Sequence, residues 1–267
     1  MKFHAFLAAA FAVLSVPAVA ADPPARHPIT HEDMWLMTRV SGPEASPDGR
    51  WIVFGVAEPA YDDAAKSSDI WIVPADGSQP PRKLTAGKAG ESDVAWSPDS
   101  TRIAFTAKRE GDDENQAYVL QLVNGGDAQR VTNLVGGASA PVWSPDGRKL
   151  LVTTRVYAGT RNDTENRKLY EERKARKYNA RTYDAFPIRH WDRWLDELQP
   201  TLVVQSLDAG AEPRDLLGGT AMRASRGYGG RLGNSGESLD ADWTPDGSAV
   251  VFAATTERDQ AARANVG

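Results

Sequence analysis

The sequence predicts an all-β protein, an incomplete β-propeller of four-stranded antiparallel blades with a helical insertion in the third blade. The first observation is a proline-centred turn that recurs along the chain, each time before an apolar run. Its four copies are residues 46–49, 97–100, 144–147 and 244–247. A hairpin signal that returns about every 50 residues is typical of propeller blades.

Each copy has the chemistry of a type I turn between two strands. Proline presets φ at the second position, a Ser or Thr hydroxyl opens the turn, and glycine is favoured at its end. The apolar runs that follow are short and continuous, which predicts strands buried on both faces. These runs are residues 51–54, 103–105, 150–152 and 250–252. A Trp precedes three of the turns and Ala45 precedes the first, so we expect an atypical terminal repeat there.

The spacing of the turns tests whether every blade is accounted for. The prolines stand at 47, 98, 145 and 245, which leaves gaps of 51, 47 and 100 residues. A second set of apolar strands, at 70–73, 118–120 and 202–204, divides the long gap. It assigns insertions of about 36 and then 15 residues to the third unit, and the remaining 49 residues make one ordinary blade. We therefore expect a third blade with two insertions and no hidden blade.

The segments outside the repeat are predicted as follows. Residues 21–39 form a linker and a short helix capped by Thr30, and the partial propeller covers 40–267. The first insertion, about 157–194, contains a charged, helix-prone part in which Lys168 and Glu172 are spaced for an i,i+4 pair. A solvated helix on the propeller rim is the expectation. The second insertion, 218–236, holds seven glycines and is expected to be a flexible loop.

The two ends of the sequence carry their own signals. Lys2, an apolar stretch at 5–16 and the small residues 18–20 predict a signal peptide over residues 1–20. Cleavage near Ala20 would give a periplasmic or secreted protein, and no later segment is apolar enough to span a membrane. After Phe252 there is room for one strand pair of a last blade. Because propellers close with four to eight blades, we expect a fragment of a longer protein.

Composition and motifs exclude several kinds of chemistry. The chain has 267 residues and a net charge of −5, which gives no support to a nucleic-acid partner. It has no cysteine, and none of its four histidines has neighbours at metal-ligand spacing, so neither a metal nor a cofactor is expected. No serine satisfies the G-x-S-x-G pattern, because Ser235 is followed by Glu237 and Ser139 by Pro141 at the second glycine position. We therefore expect no catalytic residue in this chain.

Two clusters in the first insertion are candidates for substrate binding. Arg189, His190, Trp191 and Asp192 alternate charged and aromatic groups, which could stack on or ion-pair with a substrate, or lock the insertion onto its blade. The adjacent carboxylates of residues 171–172 could clamp the ammonium of a peptide N-terminus through charge-assisted hydrogen bonds. A solvated acidic pair is the alternative interpretation of the second cluster.

Several stretches resemble a known family. Residues 31–35, 39–43 and 46–50 resemble the mature start of secreted bacterial prolyl oligopeptidase-family serine peptidases. Tyr183-Asp184 and the run from Arg189 to Trp194 are similar to the dipeptidyl aminopeptidase/acylaminoacyl-peptidase branch, and residues 243–258 fit the same branch. The resemblance covers residues 30–267. The proline turn by itself is shared with periplasmic TolB-like propellers.

The resemblance implies a role and partners for the chain. In that family an N-terminal propeller caps a C-terminal α/β-hydrolase domain with a Ser-Asp-His triad, filters peptides by size and contributes to substrate binding. This chain matches the propeller part alone, so the implied partners are short peptides and the missing hydrolase domain. Tyr170-Glu171-Glu172 resembles a Tyr-Glu-Glu motif that binds the substrate's free amine in the dipeptidyl-peptidase IV branch. A stand-alone TolB-like binding propeller is the alternative, and a carbohydrate-binding propeller is a third.

Overall fold

A computed structural model describes residues 27–257, apart from 88–89, 123–124, 179–187, 191–192, 196–197, 226 and 234–235. The predicted signal peptide and residues 258–267 lie outside the described residues. The chain divides into two compact units, residues 1–35 and 36–267.

The described part of the first unit contains one short helix, α1 (His31–Trp35). The Asp33 N–H donates to Thr30 Oγ1 over 3.2 Å, and the Thr30 N–H donates to Asp33 Oδ2 over 2.7 Å. This reciprocal arrangement is a capping box, and it confirms Thr30 as the N-cap. The helix ends at Trp35, four residues before the end of the predicted linker-and-helix segment (21–39), and none of its residues is buried.

The second unit begins with two complete four-stranded antiparallel sheets, here called blades 1 and 2. Blade 1 consists of β1 (Arg39–Ala45), β2 (Trp51–Glu58), β3 (Ser67–Pro74) and β4 (Arg82–Lys83), with a 3-10 turn (Asp63–Ala65) between β2 and β3. Blade 2 consists of β5 (Glu91–Trp96), β6 (Arg102–Ala107), β7 (Gln116–Gln121) and β8 (Gln129–Arg130). In both blades the strands pair in the order of the sequence.

Blade 3 has the same four-strand order; as predicted, it is associated with two insertions, one between its second and third strands and one after its fourth strand. Its strands β9 (Ser139–Trp143) and β10 (Lys149–Tyr157) are followed by α2 (Asp163–Lys174) and by a hairpin of β11 (Ile188–His190) and β12 (Arg193–Leu195). The blade resumes with β13 (Leu198–Ser206) and β14 (Arg214–Asp215). A hairpin of β15 (Arg231–Gly233) and β16 (Gly236–Ser238) precedes the strand pair β17 (Asp240–Trp243) and β18 (Val250–Ala253), here called blade 4. Among the described residues the four-stranded antiparallel sheets follow the predicted blades, and the propeller-type fold is confirmed.

The first strands of neighbouring blades lie against each other, so β1, β5, β9 and β17 form one edge of the stack. Each proline turn joins a first strand to a second strand, and consecutive turns touch. For example, the Asp48 N–H donates to Ser100 Oγ over 3.1 Å. All four turns therefore share one end of the stack, here called the turn face. The connections from second to third strands, with α2, leave from the opposite end, here called the insertion face.

Three apolar clusters fill the spaces between successive blades. Alternate residues of one strand serve different clusters: Ile103 and Phe105 of β6 pack toward blade 1, whereas Ala104 packs toward blade 3. All three side chains are fully buried. This confirms the prediction that the short apolar runs are strands buried on both faces.

The four turns have the side-chain chemistry that the sequence predicts. In the first copy, Ser46 Oγ donates to Asp48 Oδ1 over 2.6 Å, and the same oxygen accepts the Arg50 N–H over 3.0 Å. The turn is closed by Gly49, whose φ of +70° suits glycine. The Ser46 hydroxyl, the Arg50 N–H and the Arg50 side chain together lower the pKa of Asp48 to about 2.

The tryptophan before each later turn connects its blade to the preceding one. Each indole N–H donates to a backbone carbonyl of the preceding first strand, here called the indole latch. The latches run from Trp96 to Glu44, from Trp143 to Ala95 and from Trp243 to Val142, over 3.0, 3.1 and 3.4 Å. Ala45 occupies the same position in blade 1, for which the described residues contain no preceding blade, and this accounts for the atypical first repeat.

Candidate functional site

The first candidate site lies on α2, whose start is fixed by local capping. The Asn162 side chain accepts the Glu165 N–H over 2.9 Å, and Glu165 Oε2 accepts the Arg161 N–H over 2.8 Å. Acidic residues occupy the first turn and basic residues the last, which complements the helix dipole. The predicted helix is confirmed, and it ends at Lys174.

A buried amide attaches α2 to blade 3. Asn166 is fully buried. Its Oδ1 accepts the Tyr157 N–H over 2.9 Å, and its Nδ2 donates to the Arg155 carbonyl over 3.3 Å. The next residue, Arg167, donates from Nη2 to the Asn133 carbonyl over 2.6 Å. The helix is thus bonded both to its own blade and to the connection from blade 2.

The outer side of α2 carries the two candidate carboxylates. Glu171 and Glu172 are exposed, and Lys168 Nζ lies 4.0 Å from Glu172 Oε1, as the spacing predicts. Tyr170 packs on the Tyr157 ring, with the ring centroids 5.0 Å apart. The helix therefore turns Tyr170 toward the blade and offers both carboxylates to solvent. Adjacent carboxylates of this kind can accept several hydrogen bonds from one ammonium group.

The second candidate cluster lies in the same insertion. Arg189 and His190 belong to β11, where Arg189 is paired with Trp194 and His190 with Arg193. Trp191 and Asp192 lie outside the described residues. The backbone thus places Arg189 and His190 next to the point where β11 ends, and β12 begins at Arg193.

The second insertion differs from the expected flexible loop. Tyr228 is fully buried and donates from its hydroxyl to the Pro200 carbonyl over 2.8 Å. Burial raises the pKa of this Tyr228 hydroxyl to about 12. Arg223 and Asp215 form an ion pair whose side chains are each 3% exposed. The prediction is wrong for the described part of this segment, because its chain packs against blade 3.

The glycines of this insertion explain why the sequence suggested flexibility. A Cβ on Gly218 would stand 2.1 Å from the Arg161 carbonyl oxygen, and one on Gly230 would stand 2.2 Å from the Ser238 carbonyl oxygen. These glycines allow two backbones to approach closely. The residues that indicate packing are Asp215, Arg223 and Tyr228, which lie in or next to this glycine-rich segment and have buried side chains.

The described residues show no sign of a membrane span or of a metal centre. Among these residues no helix is both long and apolar enough to cross a membrane. Within the same ranges, no group of three or more His, Cys, Asp or Glu side chains is placed to hold a metal ion.

Comparison with known proteins gives a family. The family model described as TolB beta propeller domain matches residues 36–174, more than half of the chain. A relative from Bacillus subtilis named Uncharacterized peptidase YuxL is 29% identical over 239 residues, which cover 88% of this chain and 32% of that protein. Dipeptidyl-peptidase 5 of Porphyromonas endodontalis is 28% identical over 226 residues, which cover 84% of this chain and 30% of that protein. These relatives confirm the resemblance to peptidase propellers.

These matches cover most of this chain but a much smaller share of the proteins that it matches. The chain spans about a third of the length of the curated relatives it matches. Among solved structures, the acylaminoacyl peptidase of Pyrococcus horikoshii aligns with 69% of this chain and 26% of its own, at 16% identity and a TM-score of 0.49.

Proposed function

The chain belongs to the TolB-type β-propeller domain family, and from this premise we propose that it is the substrate-gating propeller portion of a periplasmic serine exopeptidase. The enzyme would be of the dipeptidyl- or acylaminoacyl-peptidase type and would release short peptides. The observation that carries the proposal is the alignment of most of this chain with part of two proteins named as a peptidase and as dipeptidyl-peptidase 5.

In this proposal the chain selects substrates and does not cleave them. The stacked blades restrict access by size, and the catalytic serine belongs to an α/β-hydrolase domain outside these 267 residues. No catalytic residue of this chain is therefore assigned. A chromogenic dipeptide assay on purified residues 21–267 tests this part, and we expect no turnover above background. Measurable turnover would contradict it.

We assign the binding of the peptide's free amine to Glu171 and Glu172. Both carboxylates are exposed on a helix that Asn166 and Arg167 hold in place. A fixed pair of carboxylates can receive an N-terminal ammonium through charge-assisted hydrogen bonds without having to be ordered first. Arg189, His190, Trp191 and Asp192, in the same insertion, are proposed as further contacts with the peptide.

The test of the amine site uses a full-length polypeptide that carries this chain. Glu171→Ala combined with Glu172→Ala is expected to raise KM for free-amine dipeptides by at least about tenfold, because two charge-assisted hydrogen bonds are lost. N-blocked substrates serve as the control, together with Lys174→Ala, which removes an exposed charge from the same helix. An unchanged KM for free-amine substrates would remove this role from the two glutamates.

The second candidate is a stand-alone TolB-like periplasmic binding propeller. The observation that favours it is the family description, which names a TolB propeller domain and no catalytic domain. Reading the coding sequence past Gly267 separates the two candidates. A frame that continues into a G-x-S-x-G motif supports the peptidase, and a stop codon supports the binding protein. Detection of a mature N-terminus near Ala21 tests the periplasmic location common to both.

A further inference from the structure

A buried ion pair joins the second insertion to strand β14 of blade 3. Arg223 Nη1 donates to Asp215 Oδ2 and, over 3.2 Å, to Thr201 Oγ1. The other oxygen, Asp215 Oδ1, accepts the N–H groups of Leu217 and Gly218, each over 2.9 Å. A buried ion pair gives little net stability compared with apolar residues of the same size. We therefore consider the pair for the position in which it holds the Arg223 side chain, and not for its contribution to stability.

Arg223 also forms a hydrogen bond with the segment that directly precedes α2. Arg223 Nη2 donates to Thr160 Oγ1 over 3.5 Å, and that hydroxyl in turn donates to the Tyr157 carbonyl over 2.8 Å. Thr160 is itself buried. Arg223 therefore belongs to one insertion and bonds to the chain segment that begins the other.

A backbone contact next to the pair supports the same connection. The Cα of Gly218 lies so close to Arg161 that an added Cβ would be 2.1 Å from the Arg161 carbonyl oxygen. Since Arg161 directly precedes the N-cap of α2, the second insertion contacts the start of the helix through both a side chain and its backbone.

We propose that Arg223 is a positioning residue for α2, and that through Thr160 and Arg161 the second insertion sets the place of Glu171 and Glu172. The substrate-binding part of this inference rests on the proposed amine site. In structural terms, the two insertions act as one unit on the insertion face: Arg223, held by Asp215 of β14, joins them through its bond to Thr160.

The position of α2 can be measured without catalysis. Because the chain contains no cysteine, Lys174→Cys on α2 and Glu212→Cys on the turn face of blade 3 can carry two spin labels. Arg223→Gln is expected to broaden the distance distribution between them and to accelerate amide exchange over residues 163–174 about tenfold. Arg223→Lys, which keeps the charge but not the forked geometry, should give a smaller change.

A matched pair of variants covers the case in which Arg223→Gln does not fold. Thr160→Val removes the hydroxyl and leaves the ion pair, whereas Thr160→Ser keeps the hydroxyl, so only the former should move α2. Arg231→Gln is the control within the second insertion, since Arg231 pairs with Asp240 in an exposed position. An unchanged label distance in folded Arg223→Gln and Thr160→Val proteins would overturn the positioning role.

Activity of a full-length polypeptide distinguishes this inference from the function on which it rests. Arg223→Gln is expected to raise KM for free-amine dipeptides several-fold, with kcat and the KM for N-blocked substrates unchanged. If α2 moves while KM does not, the role of Arg223 in substrate binding is overturned. If the double Glu171 and Glu172 variant also leaves KM unchanged, the amine site itself is wrong.

Discussion

The two ends of the blade stack are built on different rules. On the turn face the same bonds recur: a hydroxyl-capped aspartate in each turn and an indole latch between blades. On the insertion face each described connection has its own arrangement, and α2 and the buried Arg223 both belong to the insertions of blade 3. The difference indicates that blade order is secured at one end, which leaves the other free to acquire binding elements.

The first prediction concerns the turn face and has the largest expected effect. Trp143 is 6% exposed, fills the space between blades 2 and 3 and forms an indole latch. Trp143→Ala should lower the free energy of unfolding by about 3–5 kcal/mol, because it removes both the packing and the latch. Urea unfolding measures the effect.

Trp143→Phe is the control for this prediction, since it keeps most of the bulk and loses the indole N–H. It should cost about 1–3 kcal/mol, because the Ala95 carbonyl loses its partner. Equal losses from the two variants would contradict the assigned importance of packing at this seam.

The second prediction compares glycines on the two faces. Gly218→Ala should cost about 3 kcal/mol, because its Cβ would collide with the Arg161 carbonyl oxygen. Gly49→Ala has open space but a φ of +70°, so only conformational strain of about 1–2 kcal/mol is expected. Urea unfolding of both variants gives the comparison. A larger loss at Gly49 than at Gly218 would reverse the proposed roles.

The third prediction separates local from global stability. Asn166→Ala leaves the Tyr157 N–H and the Arg155 carbonyl without their side-chain partner, at a cost of about 1–3 kcal/mol. Because α2 lies outside the blades, we expect faster amide exchange over 163–174 and a nearly unchanged urea midpoint. Asn133→Ala is the control, since only the backbone carbonyl of Asn133 bonds to Arg167. Concerted loss of protection in blades 1 and 2 would contradict a local effect.

The smallest expected effect is the pH dependence contributed by the turn face. The pKa of Asp246 is lowered to about 2 by the Thr244 hydroxyl and by the N–H and hydroxyl of Ser248, and that of Asp48 is equally low. The pKa of an aspartate in an unfolded chain is about 3.9. The two ionised aspartates therefore stabilise the folded protein fully above about pH 3.9, and this contribution is lost as the pH falls through about 2. Asp48→Asn combined with Asp246→Asn should flatten the decline of the urea midpoint between about pH 4 and pH 2. An unaltered slope would assign acid sensitivity to other groups.

Local chemistry made the turn face predictable from the sequence. The Ser-Pro-Asp-Gly signal specifies its turn within four residues, and the spacing alone located both insertions of blade 3. The first strands of blades 1, 2 and 3 are less predictable from the sequence, because each contains a residue with a left-handed backbone conformation. These residues, five positions before the proline of the turn, are Gly42, Asp93 and Ala140. Asp93 keeps this strained conformation while its carboxylate accepts the Ala140 N–H over 3.2 Å. A contact 47 residues away cannot be inferred from local propensity.

The insertion face was predicted less completely for a related reason. Charge and spacing predict the helix and its exposed carboxylates. They do not predict that Asn166 is fully buried, because burial is usually inferred from apolar side chains. The second insertion was predicted as a flexible loop because glycine serves flexibility and close packing equally well. The buried Tyr228 and the Asp215–Arg223 contact separate these alternatives. The assignment of Arg189, His190, Trp191 and Asp192 to substrate binding stays a prediction.

The indole latches place one native fluorophore at each seam between the described blades. Each blade packs mainly against its immediate neighbours, so the stack resembles a linear array in which terminal members separate before central ones. An indole that exchanges its carbonyl partner for water changes its emission. In variants that retain a single latch tryptophan, fluorescence therefore reports the order in which the blade interfaces separate.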